Sequence, residues 1–388
     1  MGSIFVALTT LMLFFFSSCS CQVTVFDITK MGAKADGLTD IHLVLMDAWE
    51  QACRTRGAAK VVIPEGKYLL GVRTEFAGPC QGSMEFSVAG TIQAPENMAG
   101  DTWVKFQSVD RFTMSGGGTF DGQGQRASNC TKGSHCPGMV YNLRFNYLTR
   151  AVIQDITSLN SKNFHINVLG CNDITLHRLN IVAPATSLNT DRIHVGKSKL
   201  VRILDSQIAT GDDCISIGDG SQDVNITRVT CGPGHGISIG SLGRYPNEEP
   251  VSEIHVTNCT LRNTDNGVRI KSWPGLQSGT ANGLFFEDIA MDNVAHPILI
   301  DQKYCPYNKC NGKAASRVKI SNVRFKNIHG TSSTPIAVQL ICSSSLPCER
   351  VQLGGITLRY TGGGEAKSEC QYVQPKVIGV FNTVGCQY

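Results

Sequence analysis

The chain has 388 residues, of which 41% are hydrophobic and 17% charged, so it is globular and can bury a large core. Forty Gly against 16 Phe, 9 Tyr and 3 Trp point to many turns and small-residue packing, which fits β structure better than a helical bundle. The formal net charge of +4 permits an anionic polymer as partner without demanding one, and no basic block with interleaved aromatics argues for nucleic acid.

Ile4 to Phe16 is an apolar run too short to span a bilayer as a helix. Ser17, Ser18, Cys19, Ser20 and Cys21 follow, small enough for a signal-peptidase site. We read residues 1–21 as a secretory signal peptide, cut after Cys21 or after Ser20, and residues 22–388 as one domain. No Lys or Arg precedes the apolar run, so only the terminal amine is positive there. No later segment is apolar enough to span a membrane. Sixteen cysteines agree with export to an oxidising compartment.

Several cysteines lie close in sequence: Cys130 and Cys136, Cys214 and Cys231, Cys305 and Cys310, Cys342 and Cys348, Cys370 and Cys386. Cys53 and Cys80 would make a sixth pair, and spacing alone leaves the connectivity open. Cys171 and Cys259 sit in apolar strand-like runs and read as buried thiols. No Cys/His set has zinc-ligand spacing. The sequons at Asn129, Asn225 and Asn258 are glycosylation acceptors if the chain is exported.

After the signal, Val23 to Ile28 alternates as a first strand, and Asp36-Gly37 reads as a turn. Ile41 to Cys53 has helical spacing at Leu45, Ala48, Trp49 and Ala52, with Thr39 and Asp40 as cap residues. A short amphipathic helix there would cap one end of a β stack. Strand patterning returns at Val61-Val62-Ile63-Pro64 and at Tyr68 to Val72.

From about residue 84 a theme recurs, a short alternating run with an Asp, Asn or Arg near its middle. It is seen around Asp155, Arg178, Asp205, Arg228, Asn258, Asp288 and Asn322, and again at Val351 to Ile356. The repeat length runs from roughly 23 to 34 residues, which signals a repeat architecture. Short strands without intervening helices indicate an all-β fold, a right-handed parallel β-helix in which stacked coils share one core. Propeller blades need about 40 residues and four strands, which these coils lack. A β-sandwich is the other rival.

Four polar clusters punctuate this background: Asn189-Thr190-Asp191, Gly211-Asp212-Asp213, Gly234-His235-Gly236 and Arg269-Ile270-Lys271. From Asp191 to Asp212, His235 and Arg269 the gaps are 21, 23 and 34 residues. Those gaps track the repeat, so the clusters should line up along one cleft, about 5 Å apart per coil. Taken alone, Asp-Asp before an apolar strand is more often a solvated turn, and Gly-His-Gly a polar turn. Crowding among Asp191, Asp212 and Asp213 would raise the pKa of one carboxyl. One protonated carboxyl beside ionised ones suits glycoside hydrolysis. Arg269 and Lys271 are two apart on a strand and share a face, where Arg can clamp a carboxylate and Lys adds a point charge. Tyr304 has the reach to donate to a sugar oxygen.

The four clusters, in this order and spacing, resemble those of the polygalacturonases, pectin-cleaving glycoside hydrolases with a parallel β-helix fold. The stretches Gly116 to Gly124 and Gly234 to Gly243 agree with them, and the resemblance covers nearly all of the mature chain. It is most similar to exo-acting plant enzymes of the pollen type. The resemblance implies that Asp212 is the general acid and that Asp191 and Asp213 hold and deprotonate the attacking water. His235 tunes the acid. Arg269 and Lys271, with Tyr304 and Asn189, bind substrate. The implied reaction is single displacement with inversion, with carboxyls about 6.5–9.5 Å apart. The implied partner is pectic polysaccharide in the cell wall, with no metal, organic cofactor or membrane span, and the protein is a monomer.

Two departures stand out. Arg192 occupies a place where the family usually has Gly, next to a catalytic cluster, and Gln125-Arg126 stand where it often has Trp. A Ca²⁺-dependent pectate lyase and a non-catalytic wall-binding protein are the rival readings.

Overall fold

A computed structural model describes residues 23–124, 140–184, 193–275, 277–306, 310 and 314–386. The signal segment, the sequon at Asn129, Gln125-Arg126, the Cys130 to Cys136 segment and the cluster from Asn189 to Arg192 lie outside the described residues.

The described chain is a parallel β-helix. Each coil contributes one strand to an 11-stranded sheet and two strand segments to a 22-stranded sheet, and strands of successive coils pair in parallel. One coil runs Ile166–Leu169, Asn172–His177, Asn180–Val182. The next runs Ile193–Gly196, Lys199–Leu204, Gln207–Ala209. Ile174 and Leu176 point inward and are fully buried, while Thr175 and His177 between them face outward. That alternation is what the period-2 pattern encodes. In register, Ile174 pairs with Val201 and Val201 with Val224, so inward residues stack into continuous apolar ladders.

The recurrent polar residue marks a corner. Asp155, Arg178, Asp205, Arg228, Asn258 and Asp288 all have φ between 49° and 56°. Backbone in this left-handed region bends the wide sheet between its two strand segments, and Asp and Asn tolerate it better than most residues. Arg178 clamps Asp155 through Nε and Nη2 at 2.6 and 2.7 Å, and Arg228 holds Asp205 at 2.6 and 2.9 Å. Asn322 does not belong to this row. Register pairs Glu287 with Lys326 and Ile289 with Ile328, so Asn327 is the counterpart of Asp288. Asn322 sits in a second left-handed row with Asp223 and Glu253.

At the N-terminal side the helix His42–Arg54 buries Leu45, Ala48, Trp49 and Ala52 against the first strands of the stack. Trp49 packs on Phe76 and Phe106 at 5.1 and 5.7 Å between ring centroids. Asp40 Oδ1 accepts from the His42 N–H at 3.0 Å, while Ile41 holds the cap position. The expected turn at Asp36-Gly37 is instead the start of a strand, Asp36–Asp40, in which Gly37 has φ +67°. Turn-like bonds persist there, since Asp36 Oδ1 accepts from the Leu38 and Thr39 N–H groups.

Disulfides join Cys53 to Cys80, Cys214 to Cys231, Cys305 to Cys310, Cys342 to Cys348 and Cys370 to Cys386. Cys171 and Cys259 are buried free thiols. No described helix is long and apolar enough to cross a membrane.

Candidate active site

The site lies on the outer face of the 11-stranded sheet. Two apolar ladders, one through Ile193, Ile215 and Ile237 and the other through Val195, Ile217 and Ile239, face the core. The residues between them must point outward. That outward row runs Arg144, Asn167, His194, Ser216, Ser238, Arg269. Asp213 and His235 stand just before their strands, each two residues ahead of Ile215 and Ile237, which pair with each other. Arg269 is three residues out of register with His235, because its register partner is Ser238.

Asp213 is only 1% exposed. Its Oδ1 accepts from Ser238 Oγ at 2.9 Å and Arg269 Nη2 at 2.7 Å, and its Oδ2 accepts from Lys271 Nζ at 2.6 Å. Arg269 Nε also donates to Ser238 Oγ at 3.0 Å. Burial pushes the Asp213 pKa up, but Lys271 and Arg269 outweigh burial and hold it well below the usual carboxylate range. Asp213 is therefore not the carboxyl that crowding would raise. Lys271 and Arg269, nearly buried themselves, reach this carboxylate from two coils away.

Asp212 is more open. Its Oδ1 accepts from the Asp213 N–H at 2.7 Å and lies 2.8 Å from His235 Nδ1. His235 Nε2 lies 3.4 Å from the exposed Asp265 carboxylate. Burial pushes the His235 pKa down, yet the hydrogen bond and charge of Asp212 outweigh it and raise the pKa above the ordinary histidine value. The flanking glycines are required by geometry. Gly236 has φ +84°, and a Cβ there would lie 2.1 Å from the Asn266 carbonyl oxygen.

One polar atom from each of Asp212, Asp213 and His235 falls within 4.8 Å of the others. Two consequences follow. A metal ion bound there would face the ammonium and guanidinium that already hold Asp213, so the donor set does not suit a divalent cation. The Asp212–Asp213 pair is also closer than the separation expected for an inverting acid and base.

Tyr304 lies with its ring 5.1 Å from Lys271 Nζ and 5.7 Å from the Arg269 Cζ, and edge-on to Trp273 at 6.3 Å. A cleft of about 540 Å³ opens beside it, lined by Arg269, His296, Asp301, Gln339 and Glu369 among others. Burial raises the Asp301 pKa.

Matches to known proteins agree with this arrangement. Residues 53–385 match the sequence family described as glycosyl hydrolases family 28. The chain belongs to that family. A polygalacturonase of Gossypium barbadense is 51% identical over 383 residues, covering 97% of this chain and 94% of the relative. An exopolygalacturonase of Platanus acerifolia is 50% identical over 364 residues, covering 92% and 96%. Among solved structures, an endo-xylogalacturonan hydrolase from Aspergillus tubingensis superposes with TM-score 0.75 at 22% identity, covering 93% of this chain and 96% of the other, and so shares the parallel β-helix.

In this family 28 glycoside hydrolase, sequence reasoning missed several residues at the site. His194 lies in the outward row, 2.8 Å from Ser216 Oγ through its Nδ1, and burial pushes its pKa down to about 4. It therefore stays neutral beside the Lys271 charge. Ser238 joins Arg269 to Asp213. Alternation after each cluster, as in Ile193-His194-Val195 and Ile237-Ser238-Ile239, is the signal that marks both as outward.

Proposed function

We propose that the chain hydrolyses α-1,4-galacturonosyl bonds of pectin by single displacement with inversion, acting from chain ends. The observation that carries the reading is the Asp212–His235 pair set against a carboxylate, Asp213, that two cations keep ionised. Inverting glycoside hydrolysis needs one carboxyl that gives a proton and others that stay ionised to hold and activate water, and the two cations keep Asp213 in the ionised role. Asp212 is the general acid. It is half-buried, and its contacts to the Asp213 N–H and His235 are both made through Oδ1. His235 shares a proton with it. Asp191 is the base that activates water, with Asp213 steadying that water. This division suits the close Asp212–Asp213 spacing, since the separation needed for a water then falls between Asp212 and Asp191.

Arg269 and Lys271 hold Asp213 first. One Arg269 nitrogen and the remaining Lys271 protons are left for a galacturonate carboxylate, with Tyr304 and Asn189 contacting sugar hydroxyls. The names of the cotton and plane-tree relatives support the substrate, and the latter supports exo action. Five disulfides support export through an oxidising compartment, with residues 1–21 as signal and the cell wall as destination. Asn225 and Asn258 stand exposed on the outer surface, as glycan acceptors must, and Asn129 is a third acceptor. The protein acts as a monomer without cofactor.

The test is incubation of the purified protein with polygalacturonate. Reducing ends should appear, with saturated products and no effect of a chelator. Ultraviolet-absorbing, Ca²⁺-dependent products would establish a lyase, and bound polymer without new reducing ends would establish a wall-binding protein.

A further inference from the structure

Beyond the cluster around Asp213, a run of alternating cations and rings continues from Tyr304, which lines the cleft. Lys271 and Arg269 face Tyr304, Tyr304 meets Trp273 edge-on, and Trp273 carries the guanidinium of Arg244 at 5.1 Å from its ring. Tyr245 takes the same guanidinium at 5.0 Å. Arg244 is exposed, and among the described residues it forms no ion pair. Most exposed arginines rotate freely, whereas this one is held between two aromatic rings.

Its backbone is held as well. Glu248 accepts from the Gly243, Arg244 and Tyr245 N–H groups at 2.6, 2.9 and 2.9 Å. That carboxylate is spent on the turn and does not neutralise the guanidinium. Trp273 is only 8% exposed, so its ring is a fixed platform for the guanidinium. An exposed cation held in place by two rings, without a counter-ion among the described residues and joined through Tyr304 to Arg269 and Lys271, is the chemistry of a carboxylate receptor.

We propose that Arg244, stacked on Trp273 and Tyr245, binds the carboxylate of a second galacturonate unit beside the one held at Arg269 and Lys271. Trp273 and Tyr304 form the wall against which that sugar lies. This rests on the proposed galacturonan substrate and assigns it a further specificity residue. Arg269 and Lys271 are mostly consumed by Asp213, so discrimination between free acid and methyl ester falls largely to Arg244.

The experiment compares wild type, Arg244→Gln and Arg244→Lys on trigalacturonate and on its methyl ester. Binding of trigalacturonate is also measured by calorimetry, with Asp212→Asn as the shared background. An exposed charge-assisted contact predicts that Arg244→Gln raises KM on the free acid about three- to tenfold, with kcat within about twofold. Binding should weaken by the same factor, Arg244→Lys should recover part of it, and the methyl ester should show no change. Thermal melting should be unaffected. Equal KM and equal binding in Arg244→Gln, in an enzyme that cleaves galacturonan, overturns the inference and leaves the proposed function standing. Equal losses on acid and ester overturn it too, since that would be a packing effect. Absence of both cleavage and binding in wild type overturns both readings.

Discussion

The Lys271 ammonium donates to Asp213 Oδ2 at 2.6 Å across two coils of the stack, with both groups almost wholly buried. Asp213 is held by Arg269 at the same time, so the three form a small ionic centre with net charge +1. Such a group is stable only while complete.

Lys271→Met should therefore destabilise the protein by about 3–5 kcal/mol, because it leaves Asp213 short of a partner. The pH dependence follows from a depressed carboxylate pKa. Stability of this kind is fully present above the unfolded value near 3.8 and is lost only as pH falls through the lower folded value. The difference in denaturant stability between wild type and Lys271→Met should persist from pH 7 to about pH 4. If it vanished between pH 6 and 5, Asp213 would not be the anion concerned.

Asp212→Asn should abolish turnover while substrate still binds. The amide keeps the shape and loses the transferable proton, a contribution typically worth about 10²–10⁴-fold. Single-turnover assays and calorimetry on trigalacturonate check the two halves separately. Activity within a factor of two of wild type would remove Asp212 from the mechanism.

His235 titrates in the opposite sense. Its raised pKa means that the shared proton, and the stability it brings, are fully present below the usual histidine value and are lost as pH rises through the folded one. The kcat/KM profile should fall on its alkaline side above about pH 6.5. His235→Gln should lower activity and shift or erase that limb. An unchanged limb in His235→Gln would assign it to another group.

Much of this was legible in the sequence, for stated reasons. Coil period and alternation place Ile215, Ile237 and their neighbours inward, and the i, i+2 spacing puts Arg269 and Lys271 on one face. The five described disulfides join neighbours in sequence. The direction of the Asp213 shift was not legible. Its cations lie 56 and 58 residues away, so local crowding by carboxylates was visible and compensation was not. The Arg244–Trp273–Tyr304 run was hidden for the same reason, since three separate segments bring it together. Asn322 was misaligned because two left-handed rows, not one, punctuate each coil.

Gly236→Ala should cost stability and activity together. The new Cβ would strike the carbonyl oxygens of Asn266 and Gly267 at 2.1 and 2.3 Å, and a non-Gly residue at φ +84° adds strain. Backbone cannot yield as a side chain does, so His235 would move with it. A loss of about 2 kcal/mol or more is expected, read by chemical denaturation. Wild-type stability would mean that the next coil can shift to make room.

The final prediction is that the enzyme releases single sugars from chain ends. An open groove along a β-helix accepts a polymer anywhere, so end-specific action requires a wall. Tyr304, braced by Trp273 and followed by the Cys305–Cys310 disulfide, stands next to Lys271. Asp301 and Glu369 line the cleft beyond it. Their carboxylates repel the next acidic sugar of a continuing chain, which adds a charge barrier to the steric one. Monogalacturonate should appear from the earliest time points while viscosity falls slowly. Replacing Asp301 and Glu369 with their amides should lift the charge barrier and admit longer acidic products at early times. Early mixed oligomers and a rapid viscosity drop from the unaltered protein would show that neither the wall nor the charges close the groove.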